Sequence, residues 1–234
     1  FVKRDFVCVA RLIIDSFPDK IRNSKFLFLI LRLTLRVPKY FYNFRKEYKT
    51  KKINLTQLYK NPKYSSRRIS KNTDINSFHQ KDILDYIKET KPKSILDLGS
   101  GTGFMLRKIK RSFQEISLTG VDLSVEKNDL DINYIESSID NFFKKNSSLN
   151  FDLIICCHTL EHIENPSEIV KSIKNHSNNS YILICPLEKR FEWGLNYHIN
   201  FFESIDNFVY SLNLKKEGAK IKVALGDIFY SNNL

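Results

Sequence analysis

Across residues 73–234 short apolar runs alternate with stretches whose apolar positions recur every three or four residues. Ile95 to Leu98, Ile116 to Leu123, Ile132 to Ile135, Phe151 to Cys157 and Tyr181 to Leu187 read as strands, and Phe151 to Cys157 is apolar on both faces, as a central parallel strand requires. The intervening periods predict helices over Ser77 to about Thr90, with Ile83, Leu84 and Ile87 buried, and Gly103 to Phe113, with Phe104, Ile109 and Phe113 buried. Further helices are expected over Pro166 to His176, where Asn165 and Glu168 resemble a capping box, and over Glu203 to Leu212. Lys215 to Leu225 and Asp227 to Tyr230 form an antiparallel hairpin across Gly226. The expected fold is α/β, a doubly wound, mostly parallel seven-stranded sheet with an antiparallel last strand.

Residues 6–48 carry helical periods broken by Pro18 and Pro38, so two or three helices precede the sheet. Phe26, Leu29, Ile30, Leu33 and Val37 fall on one stripe, with Lys25, Arg32, Arg36 and Lys39 at its edges. Such a basic amphipathic helix packs on the following domain, lies in a membrane interface, or binds a partner helix; packing is the first expectation. Residues 49–72 read as a polar connector, dividing the chain into a basic helical extension, 1–72, and a domain, 73–234. Charge sharpens that boundary: residues 1–72 hold 19 Lys+Arg against 4 Asp+Glu, whereas the remainder holds 19 against 22. An anionic partner or a solvated basic surface follows, the partner being a phosphorylated substrate, nucleic acid or acidic lipid headgroups. The longest apolar stretch, Phe26 to Val37, is interrupted by two arginines and is too short to cross a bilayer. No small-residue cleavage site marks a signal peptide, and the chain opens on Phe1 rather than Met. Cys8, Cys156, Cys157 and Cys185 form no C-x-x-C pair and are expected to be reduced packing residues of a cytosolic protein.

The candidate chemistry centres on Ser94-Ile95-Leu96-Asp97-Leu98-Gly99-Ser100-Gly101-Thr102-Gly103-Phe104, a strand that breaks into three alternate glycines and then a helix. Small residues let the backbone approach a ligand, and the helix start adds partial positive charge. Phe104 stands where a dinucleotide fingerprint needs a small residue, which disfavours NAD. The next strand ends in Val121-Asp122-Leu123-Ser124, placing a carboxylate to accept two ribose hydroxyls. A nucleoside without a pyrophosphate is the ligand these residues favour.

Together with Phe151-Asp152-Leu153-Ile154-Ile155 and Leu160-Glu161-His162-Ile163, these motifs resemble the class I S-adenosylmethionine-dependent methyltransferases over residues 78–230. The resemblance implies a Rossmann-like fold with S-adenosyl-L-methionine as cofactor. Asp97, Gly99, Ser100, Gly101 and Gly103 would hold its methionine part, and Asp122 with Leu123 its ribose. Ser138 and Ile139 would lie by the adenine, although the family's usual Asp falls at Ser138, and Cys157 would lie at the methionine end. The helix usual after Ser124 has room for a single turn at most. His162 is the leading base candidate or a helix cap; His158 is a second candidate or part of the wall. Glu188 binds a substrate hydroxyl or pairs with Lys189 or Arg190. Trp193, Tyr197 and His198 stack on an acceptor ring or pack their loop, and Tyr64, Arg67 and Arg68 are lid candidates for anion contact. No metal site is expected, because the turn after Cys157 lacks the carboxylate of catechol-type enzymes.

The implied activity is O-methylation of a small molecule or glycan, in the cytoplasm or at the inner membrane face, with surface-polysaccharide modification the best guess. A nucleic-acid methyltransferase is the alternative suggested by the basic N-terminus, but the Asn/Asp-Pro-Pro-Tyr/Phe and Pro-Cys motifs are missing. A non-catalytic binding module would have no reason to keep Asp122.

Overall fold

The structure, a computed structural model, describes residues 3–34, 44, 47–50, 53–60, 73–125, 131–191 and 196–233. Seven strands form one sheet in the order β3-β2-β1-β4-β5-β7-β6. They are β1 (Ser94–Leu98), β2 (Ser117–Asp122), β3 (Asn133–Glu136), β4 (Phe151–Cys157), β5 (Ser177–Pro186), β6 (Lys220–Ala224) and β7 (Asp227–Ser231). The first five run parallel, and β7 inserts antiparallel between β5 and β6, with Pro186 opposite Asp227. The hairpin predicted across Gly226 is therefore present, and the fold is the Rossmann-like sheet the sequence implied.

Strand side chains alternate between two helical layers. Ile95, Leu153, Ile155, Ile182 and Phe229 pack under α5 (Ser77–Thr90) and α6 (Phe104–Ser112), while Leu96, Leu98, Ile154, Leu183 and Tyr230 face the opposite cluster. That second cluster includes residues of α7 (Ile139–Lys145), α8 (Pro166–His176) and α9 (Ile205–Ser211). Helix α6 buries Met105, Leu106 and Ile109, so the predicted stripe shifts: Phe104 and Phe113 are only partly covered. At α8 the proposed capping box does not form, since Asn165 makes no side-chain cap bond and Pro166 opens the helix by itself. Asn76 does cap α5, accepting from His79 N–H at 3.0 Å. The single-turn helix expected after Ser124 falls on residues outside those described.

The extension supplies α1 (Lys3–Ser16), α2 (Asp19–Arg22), α3 (Lys25–Thr34) and α4 (Leu55–Lys60). Helix α1 lies against the carboxyl edge of the sheet through polar contacts that its periodicity did not reveal. The Asp5 carboxylate accepts from Ser77 N–H at 3.0 Å and from its hydroxyl at 2.7 Å. Arg11 Nη2 donates to the Gly226 carbonyl and to Asp227 Oδ1, each at 2.6 Å. Asp227 is fully buried and also accepts from Asn76 Nδ2 at 2.9 Å. Helix α3 reverses the sequence expectation. Phe28 packs with Ile14 and Phe191, while the stripe of Phe26, Leu29, Ile30 and Leu33 points outward, with Phe26 73% and Leu33 72% exposed. Val37 lies outside the described residues. Among the described residues no helix is long and apolar enough to cross a membrane.

Removing one partner of a buried ion pair leaves an uncompensated charge, at a cost of about 3–5 kcal/mol. Arg11→Ala is therefore expected to lower unfolding free energy by about that amount, and Asp227→Asn in the same chain to recover most of it. Urea unfolding checks this; an unchanged midpoint for Arg11→Ala would show that α1 is not held by this contact.

Candidate functional site

Strands β1 and β2 end side by side, with Leu98 opposite Val121. The glycine turn begins there and folds back on β2: Gly99 N–H and Ser100 N–H both donate to the Val121 carbonyl, at 2.8 and 3.1 Å. Gly101 N–H donates to Asp122 Oδ2 at 2.8 Å, and Gly103 N–H to the Ser100 carbonyl at 2.8 Å. This corrects the expectation that these N–H groups face a ligand, because all four are used inside the protein. What the turn presents is bare main chain in the left-handed region. Gly99, at φ 76°, could carry no Cβ without overlapping Thr159 Oγ1, and Gly103, at φ 72°, would overlap the Tyr134 hydroxyl.

Two carboxylates flank that main chain. Asp122 accepts from Gly101 N–H at one oxygen and from Ser124 N–H, 3.2 Å away, at the other, which fixes the plane of its carboxylate at the end of β2. Asp97 is only 5% exposed. Burial, and secondarily the charge of Asp122, push its carboxyl up to about 7. No cationic side chain is paired with it among the described residues. Such a carboxylate suits a ligand that brings its own positive charge. Leu123 follows Asp122 and is half-buried. Ser138 caps α7, accepting from Asn141 N–H at 3.3 Å, and Ile139 is buried against Phe142 and Phe143 in the core. Cys157 is buried at the end of β4, and burial pushes its thiol up, so it acts as apolar wall. All four cysteines are buried and none is in a disulfide.

Beyond β4 the chain turns sharply. His158 adopts φ 50°, a left-handed conformation that costs a β-carbon-bearing residue about 1–2 kcal/mol. Its ring enters the wall, with Nδ1 3.3 Å from Glu161 Oε1 and Nε2 3.5 Å from Asp227 Oδ2. A 3₁₀ turn, Leu160–His162, then buries Glu161 and leaves the His162 side chain partly exposed. Glu161 is fully buried, and its Oε1 is met at ion-pair distance by His158 Nδ1, and at 3.9 Å by His162 Nε2, rather than by well-formed hydrogen bonds. Burial pushes that carboxyl up, but the neighbouring imidazoles, His158 foremost, outweigh it and keep it ionised. His162 Nδ1 lies 2.7 Å from the Tyr59 hydroxyl and 3.2 Å from the Tyr197 carbonyl. Burial holds its imidazole neutral, pushed down to about 4 against the opposing pull of Glu161.

The loop after β5 is stitched to the same turn. Ile199 N–H and Asn200 N–H donate to the Glu161 carbonyl at 2.8 and 3.1 Å, and Asn200 Nδ2 donates to the carbonyls of Leu160 and Ile163. These bonds set the His198 ring 4.8 Å from that of His162. Glu188, 5% exposed, pairs with His198 Nδ1 and with Asn196 Nδ2 rather than with Lys189 or Arg190, which corrects the expected ion pair. Tyr197 stacks edge-on against Phe44 of the extension, with ring centroids 4.8 Å apart. Trp193, Tyr64, Arg67 and Arg68 lie outside the described residues, so their expected contacts have no counterpart here.

The structure adds residues that the motifs did not single out. Tyr59 reaches His162 from α4, Thr159 packs on Gly99, Tyr134 packs on Gly103, and Asp227 with Arg11 closes the wall behind His158. No local pattern marks Tyr59 or Asp227.

Residues 73–211 match the family model described as a methyltransferase domain. A ubiquinone biosynthesis O-methyltransferase of Actinobacillus pleuropneumoniae is 30% identical over 108 residues, 39% of this chain and 45% of that protein. A malonyl-[acyl-carrier protein] O-methyltransferase of Halalkalibacterium halodurans is 29% identical over 94 residues, 36% of this chain and 35% of that protein. The chain thus spans less than half the length of these curated relatives. A plantazolicin methyltransferase, solved with a desmethyl substrate analogue and SAH, superposes at a TM-score of 0.52 with 16% identity, covering 98% of this chain and 96% of that one.

Proposed function

Because the chain belongs to the class I S-adenosylmethionine-dependent methyltransferases, we propose that it transfers a methyl group from S-adenosylmethionine to a hydroxyl oxygen of a small molecule. The observation that carries this reading is the buried Asp97, without a paired cation among the described residues, beside Asp122 at the glycine turn. The donor's ammonium answers Asp97, its ribose hydroxyls meet the carboxylate of Asp122, and Gly99, Gly101 and Gly103, with Ser100 between them, let its chain pass close to the main chain. Leu123, Ser138 and Ile139 border the adenine side, and Cys157 the methionine end. The donor supplies an electrophilic methyl carbon on a sulfonium.

The protein's remaining task is to align an acceptor oxygen and relieve it of its proton. That work falls to the turn after β4 and the loop after β5. His162 faces the space between Tyr59, Tyr197 and His198, and removal of the hydroxyl's proton depends on it. His158 and Glu188 act one step back, His158 against Glu161 and Glu188 against His198. Aromatic rings around His162 favour a ring-bearing acceptor. The names of the relatives point toward small molecules, whereas no residue described here singles out a surface glycan. His162→Ala should retain affinity for S-adenosylhomocysteine, which Asp122→Ala weakens more than about tenfold, yet lose turnover on a phenolic acceptor by about a hundredfold or more. Normal turnover by His162→Ala would reduce that residue to a cap.

The extension also bears on where the enzyme works. Phe26, Leu29, Ile30 and Leu33 form an outward apolar stripe within a segment of strong positive charge, the composition of a helix lying in an anionic membrane interface. Peripheral contact with the inner membrane face follows as part of the proposal. Pelleting with vesicles containing phosphatidylglycerol should be salt-sensitive and should fall at least about tenfold in Phe26→Ser/Leu33→Ser, since each side chain contributes roughly 1.5–3 kcal/mol on burial. Failure of the unaltered chain to pellet would end the idea.

A further inference from the structure

The acceptor wall contains a set of groups that proton transfer alone does not account for. Glu161, His162 and His198 each offer one ligand atom, and these atoms all lie within 4.8 Å of one another. Both imidazoles are held by their Nδ1 atoms. His162 is oriented by the Tyr197 carbonyl and the Tyr59 hydroxyl, and His198 by the Glu188 carboxylate. With Nδ1 engaged in each ring, Nε2 is the nitrogen that would ligate, as in metal-ligating histidines whose second nitrogen donates to a carbonyl or carboxylate, and His162 Nε2 lies 3.9 Å from Glu161 Oε1. Glu161, the third member, is fully buried, and its Oε1 is met by imidazoles at ion-pair distance, His158 Nδ1 at 3.3 Å and His162 Nε2 at 3.9 Å, without good hydrogen-bond geometry. A buried carboxylate answered in this way gains from a cation that completes it.

We propose that Glu161, His162 and His198 form a binding site for one divalent first-row transition-metal ion on the acceptor side of the donor cradle. Two imidazole nitrogens and one carboxylate oxygen favour Zn²⁺, Mn²⁺, Fe²⁺ or Co²⁺ over Mg²⁺, which takes oxygen ligands. Atoms about 2.1 Å from a common ion lie at most about 4.2 Å apart, so small side-chain rotations close the set around it. Three protein ligands leave positions open for the acceptor. The carboxylate arrives from Glu161, in the 3₁₀ turn, rather than from the residues directly after β4, which is why the sequence pattern argued against a metal.

The site rests on the methyl-transfer reading for its purpose and refines the role of His162. An acceptor hydroxyl bound to the ion loses its proton to solvent at lower pH. Its oxygen lone pair then forms the new O–C bond as the S–C bond breaks and its electron pair stays on sulfur. His162 orients the oxygen through the ion, and Glu188 becomes a positioning residue for His198.

The test uses the full chain after dialysis against a chelator, titrated with Co²⁺ and followed by visible d–d absorption, with S-adenosylhomocysteine calorimetry in parallel. One equivalent of Co²⁺ is expected to bind and to be displaced by Zn²⁺. His198→Gln and Glu161→Gln should each weaken Co²⁺ binding at least about tenfold, Glu188→Gln by about 10–100-fold, and His176→Gln, remote from the cluster, not at all. Absence of saturable Co²⁺ binding by the unaltered chain overturns the site, as does full Co²⁺ affinity in both His198→Gln and Glu161→Gln. Co²⁺ binding without S-adenosylhomocysteine binding would instead sink the donor assignment and leave the metal site standing.

Discussion

Two carboxylates meet at the tips of neighbouring parallel strands, and one of them, Asp97, is taken out of water with no cationic side chain paired to it among the described residues. The sheet imposes that arrangement, because β1 and β2 stop in register and the chain must leave β1 through a turn tight enough to exclude side chains. Internal bonds spend the turn's N–H groups, so the turn contributes shape, and the acids contribute recognition. A ligand with an ammonium at one end and vicinal hydroxyls at the other relieves both.

The acceptor side depends on longer-range ties. Asp227 at the start of β7 is shared by Arg11 of α1, Asn76 at the head of α5 and His158 after β4. One buried acid therefore links the extension to the wall of the site. Tyr59 meets His162 and Phe44 packs edge-on against Tyr197, so the extension borders the proposed acceptor space, while its α3 stripe is exposed. A hydrophobic acceptor drawn from a membrane surface would meet both halves of that arrangement.

Much of this was legible in the sequence, and the physical reasons are specific. Parallel strands buried on both faces write themselves as continuous apolar runs, so β1, β2, β4 and β5 stood out, and Gly226 marked the hairpin. The glycine turn and Asp122 were legible because a tight turn and a strand-end acid are local features. Contacts spanning more than two hundred residues, such as Arg11 with Asp227, leave no local pattern. Periodicity also misjudged α3: it identifies an apolar stripe without saying which side of the helix faces the core, and Phe28 rather than Phe26 turned inward. The grouping of Glu161 with His162 and His198 came from the 3₁₀ turn and the stitched loop, neither of which has a hydrophobic period.

The central claim is that Asp97 awaits a cationic ligand group, and the pH dependence of S-adenosylhomocysteine affinity tests it most directly. A carboxyl raised to about 7 must lose its proton before it can pair with the ligand's ammonium. Affinity measured by calorimetry should therefore rise with pH from about 5.5 to 7.5, approaching tenfold per unit at the acid end and levelling above about 7. Asp97→Asn should bind weakly and without that slope. A flat profile in the unaltered chain, or equal affinity in Asp97→Asn, would contradict the account.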